Sequence, residues 1–309
     1  MRSLLIDMGK LGWTLLTIAL LASACRDRAT QPAPHRSSVA ASVRTRGPKP
    51  LAFASASGVR TPAASTRIRT DCPPTTAFIP DPGVCIHRWE VQLFYSDGRL
   101  HDPYSVPPRP EQMSEMVAES RPGVVPQGYM GREQAEIACR NTLWGEFRFR
   151  LCTTAEWEAA CRGPRSEFPT YQDAMVERCN TGKFPETEHL VYRFYPEPSW
   201  TYRELTDARI NQEPGGLART GAYPRCTNGF GVFDMVGNLQ EWTADLHPKG
   251  DLVMSTLKGD HYMGQGKNYV GCAATNTAHF HLPPSSPDYA PYKDWKDYST
   301  GTRCCTDPR

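Results

Sequence analysis

Apolar residues are spread unevenly along the chain, in three regimes. Leu11 to Ala24 is a 14-residue, largely apolar run holding Leu15, Leu16, Ile18, Leu20 and Leu21, with Arg2 and Lys10 before it. It is too short to span a bilayer, and the charged-then-apolar layout predicts a secretory signal. Residues 26–70 are dominated by Ala, Ser, Thr, Pro and Arg, with Phe53 the lone Phe, Trp or Tyr. Such a stretch buries too little surface to offset its chain entropy, so it reads as a disordered linker. From Asp71 onward, short apolar pieces alternate with Pro- and Gly-rich turns.

Within this third regime the pattern predicts few long elements. Cys72 and Cys85 bracket the Pro-rich stretch CPPTTAFIPDPGVC, which reads as a loop stapled by a Cys72–Cys85 bridge. His87-Arg88-Trp89-Glu90-Val91 reads as a short strand, and 102–128 as mostly loop, punctuated by six prolines. Arg132 to Thr142 places Ala135, Ile137 and Ala138 on one flank of a helix, with Cys139 beside them. A second helix begins at CTTAEWEAACRG. Thr153 or Thr154 can cap it, Glu156 and Glu158 suit its positive end, and Arg162-Gly163 ends it. Residues 164–225 hold no long periodic segment. Glycines at 229, 231 and 237 make 229–245 a strand-and-turn ribbon, and LKGDHY, GCAAT and GTRCC read as short strands.

Composition sharpens this picture. Of 309 residues, 39% are hydrophobic, and seven Trp with thirteen Tyr exclude disorder throughout. The 28 prolines and 24 glycines favour loops over long regular elements. The formal charge of +2 conceals an asymmetry: residues 26–70 hold nine basic residues and one acidic, whereas 71–309 carry a net −7. An acidic body excludes a general nucleic-acid binder. Eleven cysteines form no CxxC pair, which argues against zinc ribbons. Without Cys25 they number ten, an even count that suits an oxidised, exported domain. Ala22-Ser23-Ala24-Cys25 resembles a bacterial lipobox. The expected organisation is a lipoprotein signal over 1–24, a basic linker over 25–70 with lipid on Cys25, and a domain over 71–309. That implies attachment to a membrane in the bacterial cell envelope.

Four segments of the body together resemble the sulfatase-modifying-factor family, best known for formylglycine-generating enzymes. Arg150 to Gly163 (RLCTTAEWEAACRG) matches the family's R-L-P-T-E-A-E-W-E-x-A-x-R-G. Gly231 to Asp245 (GVFDMVGNLQEWTAD) matches G-L-Y-D-M-x-G-N-V-W-E-W-T-x-D. Gly301-Thr302-Arg303-Cys304 matches G-F-R-C, and His87 to Val91 matches the early D-x-Y-E-V strand. The resemblance implies a compact, loop-rich α+β fold of formylglycine-generating-enzyme type, related to C-type-lectin-like folds. It also implies the bridges Cys139–Cys304 and Cys161–Cys272, and leaves Cys152, Cys179, Cys226 and Cys305 unassigned. Finally, it implies a Ca²⁺ held by Asp234 and Glu241 through side chains and by Gly237 and Leu239 through carbonyls, a hard cation on oxygen ligands. A second family calcium site would begin at Asn180 and Thr181, without a clear acidic partner.

The match fails where the family's chemistry resides. Formylglycine generation uses two cysteines five residues apart, which here fall on Gly264 and Tyr269. Neither supplies a thiolate. His261, His279 and His281 could instead hold copper or iron beside a carboxylate, the less favoured reading. No GxSxG elbow supports a serine hydrolase. The expectation is a non-catalytic module binding an extracytoplasmic protein or glycan, with candidate loops at 164–225 and 275–300 carrying Tyr192, Phe194, Tyr195, Trp200 and Tyr298. The alternative is an oxidoreductase with an altered non-haem metal site.

Overall fold

Three of the four residues of Thr76–Ile79 and all four of Val84–His87 are buried, so these two segments pair as a strand hairpin, β1 and β2. The turn between them needs Gly83, whose φ of +87° suits a residue without a Cβ. The computed structural model describes residues 70–166, 178–182, 189–197, 200–249, 252–264, 271–276, 280–281 and 295–309. The described residues lie within one compact unit, Ala64–Arg309.

Among the described residues the remaining strands are β3 (Val91–Tyr95), β4 (Met116–Ser120), β5 (Leu143–Trp144), β6 (Phe147–Arg148), β7 (Arg150–Leu151), β8 (Gln240–Lys249), β9 (Leu252–Lys258), β10 (Thr275–Asn276), β11 (Phe280–His281), β12 (Thr300–Gly301) and β13 (Cys304–Thr306). The first sheet runs β1-β2-β13-β7, so a strand from the far end of the sequence separates β2 from β7. The largest sheet runs β10-β9-β8-β12, with β11 also on β9 and β12 parallel to β8. β3 and β4 form a separate antiparallel pair, and β5 and β6 a small hairpin.

Helix α1 spans Arg132–Asn141 and turns Gln134, Ala135, Ala138 and Cys139 inward. Helix α2 spans Thr154–Arg162. Thr153 is its cap: the Thr153 hydroxyl accepts from the Glu156 N–H at 3.2 Å, and Glu156 accepts from the Thr153 N–H at 2.8 Å. Gly163, at φ +72°, ends it. A four-residue helix α3 (Tyr202–Leu205) and short 3-10 turns complete the helical content among the described residues. Three apolar clusters result. Trp157 centres one, with β1, β2 and Met235; Trp242 and Leu257 join β3, β4 and α1 in the second; Tyr129, Ile210, Tyr262 and Tyr298 form the third.

Three sequence expectations differ from this arrangement. His87 to Val91 is not one strand. β2 ends at His87 and β3 begins at Val91, because the Trp89 N–H bonds to the Ser120 hydroxyl and the Glu90 side chain turns into the core. The 102–128 stretch contains β4, held by five register partners on β3. GCAAT opens as a 3-10 turn, Gly271–Ala273, before β10.

Candidate functional site

The segment following β9 is where the family's chemistry would sit. Gly259, at φ +73°, lets the chain turn under Trp157, and a Cβ there would meet Trp157 carbons at 3.3 Å. Asp260 then folds back, 3% exposed. Its Oδ1 accepts from the His261 N–H at 2.9 Å and its Oδ2 from the Thr181 hydroxyl at 2.8 Å. Burial pushes the Asp260 carboxyl up to about 6, against those two hydrogen bonds. The carboxyl occupies the space beside Gly264, where a Cβ would lie 1.9 Å from Asp260 Oδ2. Position 264 therefore lacks a thiol and lacks room for one. Tyr269 lies outside the described residues.

Every cysteine among the described residues is bridged. Cys72–Cys85, Cys139–Cys304 and Cys161–Cys272 join Cys152–Cys305 and Cys179–Cys226, with Cα–Cα separations of 4.8–5.7 Å. The first three pairs agree with the expectation; the last two were not assigned from sequence. Cys272, nearest in sequence to position 269, is thus committed to Cys161. Cys25 lies outside the described residues.

A second centre is built around Arg303, fully buried between β12 and β13. Its Nε and Nη2 donate to the two oxygens of Glu241, each at 2.6 Å, and Trp157 Nε1 donates to Glu241 Oε2 at 2.7 Å. Glu90 accepts from Leu239 N–H at 2.9 Å and from Asn238 Nδ2 at 2.6 Å. Asp234 accepts from Gly221 N–H at 2.6 Å. Burial, with the neighbouring carboxylates of Asp234 and Glu241, holds Glu90 well above the ordinary carboxyl range. Burial lifts Asp234 to about 6. Sequence reasoning assigned no role to Glu90 or Arg303; the signal available was the R of the G-x-R-C strand.

This geometry bears on the implied calcium. Both Glu241 oxygens already accept hydrogen bonds, from Arg303 and Trp157, and the cation balancing the carboxylate is the guanidinium. The donor set Asp234, Gly237, Leu239 and Glu241 does not fit Ca²⁺ in this arrangement. Gly237 has a separate reason to be glycine: at φ +83°, its Cβ would fall 2.2 Å from the Asn180 carbonyl oxygen. Asn180 donates to Gly216 O and to Asn238 Oδ1, while its own Oδ1 has no hydrogen-bond partner. Thr181 is engaged with Asp260.

Among the described residues the histidines do not gather into a metal site, whereas the aromatics gather in the core. Among the described residues no group of three His, Cys, Asp or Glu side chains is placed to hold a metal. His261 stacks edge-on to Tyr262 and Tyr298; His279 lies outside the described residues, and His281 pairs with Val253 through the backbone of β11. The aromatics expected as recognition loops pack inward instead. Tyr298 is buried, and Phe194, Tyr195 and Trp200 lie against the third apolar cluster. Tyr192 stacks edge-on to Trp200.

With this geometry in place, relatives can be set beside it. Residues 111–290 match the sulfatase-modifying factor enzyme 1-like domain, so the chain belongs to that family and has its formylglycine-generating-enzyme-like α+β fold. It is 26% identical over 166 residues to the inactive Cα-formylglycine-generating enzyme 2 of Bos taurus, and 25% identical to that of Mus musculus. Each alignment covers 50% of this chain and 48% or 47% of the relative, so the match spans about half the length of these curated relatives. Among solved structures, PvdO from Pseudomonas aeruginosa matches at TM-score 0.41 and 15% identity, covering 75% of this chain and 90% of that one. CarF matches at TM-score 0.31 and 16% identity, covering 71% and 60%.

Proposed function

We propose that this protein is an exported, lipid-anchored family member that acts by binding rather than by generating formylglycine. The observation carrying this reading is position 264, a glycine whose missing side chain is replaced by the buried Asp260 carboxyl. A thiolate is the ligand and nucleophile the family's reaction needs, and no described cysteine is free to supply it. The relatives named inactive formylglycine-generating enzymes support the same reading. Five bridges suit an oxidising, extracytoplasmic compartment. The apolar run before Cys25 supports export and acylation there, with residues 25–70 as a tether.

The deciding experiment incubates the purified protein with copper, oxygen, a reductant and a peptide bearing the sulfatase cysteine motif. The expected result is no aldehyde above a metal-only control. Turnover above it, or stoichiometric copper or iron in the purified protein, overturns the reading. Mass spectrometry of the mature N-terminus tests the anchor: acylated Cys25 is expected, and an unmodified N-terminus elsewhere removes it.

A further inference from the structure

A cavity of about 310 Å³ opens beside β4 and the β5–β6 hairpin, among residues that the calcium, thiol and histidine assignments leave aside. His87 lines it, only 2% exposed, with its ring 4.7 Å from that of Phe149. The His87 Nδ1 accepts from the Cys304 N–H at 3.3 Å, so the neutral ring carries its proton on Nε2. Burial, with the Arg303 charge nearby, lowers the His87 pKa to about 3, so the ring stays uncharged. Its Nε2–H remains as a donor that no described residue accepts.

The walls are unusual for a small hairpin. Leu143 and Trp144 form all of β5, yet they are 56% and 53% exposed. Large apolar side chains left open beside a concavity mark a binding surface more often than isolated ones do. Glu119 and Arg121 also line the cavity; they are ion-paired with each other, and the Arg121 guanidinium lies 4.8 Å from the Phe94 ring centroid.

These features narrow the occupant. A peptide adding as a strand needs an open edge, and β4's free edge is blocked. Thr142 Oγ1 accepts from the Ala118 N–H at 2.8 Å and shares its own hydrogen between the Ala138 carbonyl at 2.8 Å and the Ala118 carbonyl at 3.2 Å, while Asn141 Nδ2 donates to the Met116 carbonyl at 3.0 Å. The Glu119–Arg121 pair and the uncharged imidazole together carry no net charge, so the lining offers an ionic ligand no excess of opposite charge. A purely apolar ligand would cover the imidazole N–H without offering it an acceptor. What fits is an uncharged ring with one C–H face and several hydroxyls. The C–H face lies against the negative π face of the indole, the hydroxyls meet the carboxylate and guanidinium, and an oxygen accepts from His87 Nε2. The volume is at the low end for small-molecule sites, room for one ring.

We propose that the cavity bounded by Trp144, Phe149, His87 and the Glu119–Arg121 pair binds an uncharged terminal pyranose of a glycan. This rests on the reading that the protein acts by binding; the peptide-oxidation assay decides that reading, and the following one decides this site. The full disulfide-intact chain is mixed in turn with methyl α-glucoside, methyl β-galactoside, methyl α-mannoside, N-acetylglucosamine, glucuronate and N-acetyl-leucinamide. Saturation-transfer NMR then reads contact at the ligand protons. The expected result is transfer to ring C–H protons of at least one neutral sugar, with affinity of millimolar order. Trp144→Ala is expected to weaken it about tenfold or more, and Glu119→Gln several-fold, each with its melting temperature retained. Transfer to none of the neutral sugars, preference for glucuronate or the leucinamide, or binding unchanged in Trp144→Ala would overturn the proposal.

Discussion

Arg303 is a full positive charge with no solvent exposure, and Glu241 grips it through both oxygens. Removing one partner of such a pair leaves the other charge buried and unmatched, which costs about 3–5 kcal/mol. Glu241→Gln is therefore expected to lower the unfolding free energy by that much, read as a fall in the denaturant midpoint at unchanged slope, and chelation of calcium to leave the wild-type midpoint unchanged. Gly264→Cys puts a Cβ into the space of Asp260 Oδ2. Such overpacking is expected to cost about 1–3 kcal/mol in a melting experiment without creating aldehyde-forming activity. His87 sets a pH dependence. Its folded pKa, about 3, lies below the unfolded 6.5, so between these values the unfolded chain binds more protons. Its contribution is full above pH 6.5 and is lost as pH falls toward 3. His87→Gln is expected to reduce the slope of unfolding free energy against pH in that window by up to ~1.4 kcal/mol per pH unit. An unchanged slope would mean the ring charges freely in the fold.

At the scale of elements, β13 does the most joining. Successive side chains of a strand point to opposite faces, so the adjacent Cys304 and Cys305 enter different cores. Cys304 reaches Cys139 on α1 in the second cluster, and Cys305 reaches Cys152 ahead of α2 in the first. Helix α2 depends on local chemistry, and Thr153→Ala is expected to cost about 1 kcal/mol by loss of the reciprocal cap, measured by thermal unfolding. Both helices were legible in the sequence because their signals are local: small residues at helical spacing in α1, and T-T-A-E before Trp157 in α2. β4 was not legible, since Met116–Ser120 sits among prolines and is a strand only because β3 pairs with it. The site was half legible. The absence of thiols at 264 and 269 can be read directly, whereas Thr181 fixing the Asp260 carboxyl and Arg303 balancing Glu241 are contacts between segments far apart in sequence. The inward packing of Tyr298 and Trp200 was missed for a related reason: aromatic composition does not distinguish a core from a recognition loop.

For the whole molecule, Cys139–Cys304 and Cys152–Cys305 close loops of 165 and 153 residues. The chain-entropy account gives about 5 kcal/mol for each, an upper figure. Dithiothreitol is expected to lower the melting temperature sharply or abolish cooperative unfolding, and non-reducing peptide mapping is expected to recover all five linkages. The position of β13 also carries a temporal consequence. β2 needs β13 as its sheet neighbour, yet β13 lies roughly 220 residues downstream, which is about 10–45 s of synthesis at ~5–20 residues per second. Cys72–Cys85 can close as soon as its hairpin emerges, Cys179–Cys226 next and Cys161–Cys272 later. Throughout that interval Cys139 and Cys152 exist without their mates. Where oxidation keeps pace with delivery of the chain, the order of delivery becomes the order of oxidation, and Cys139 and Cys152 must be kept from the wrong partners until the last strand arrives.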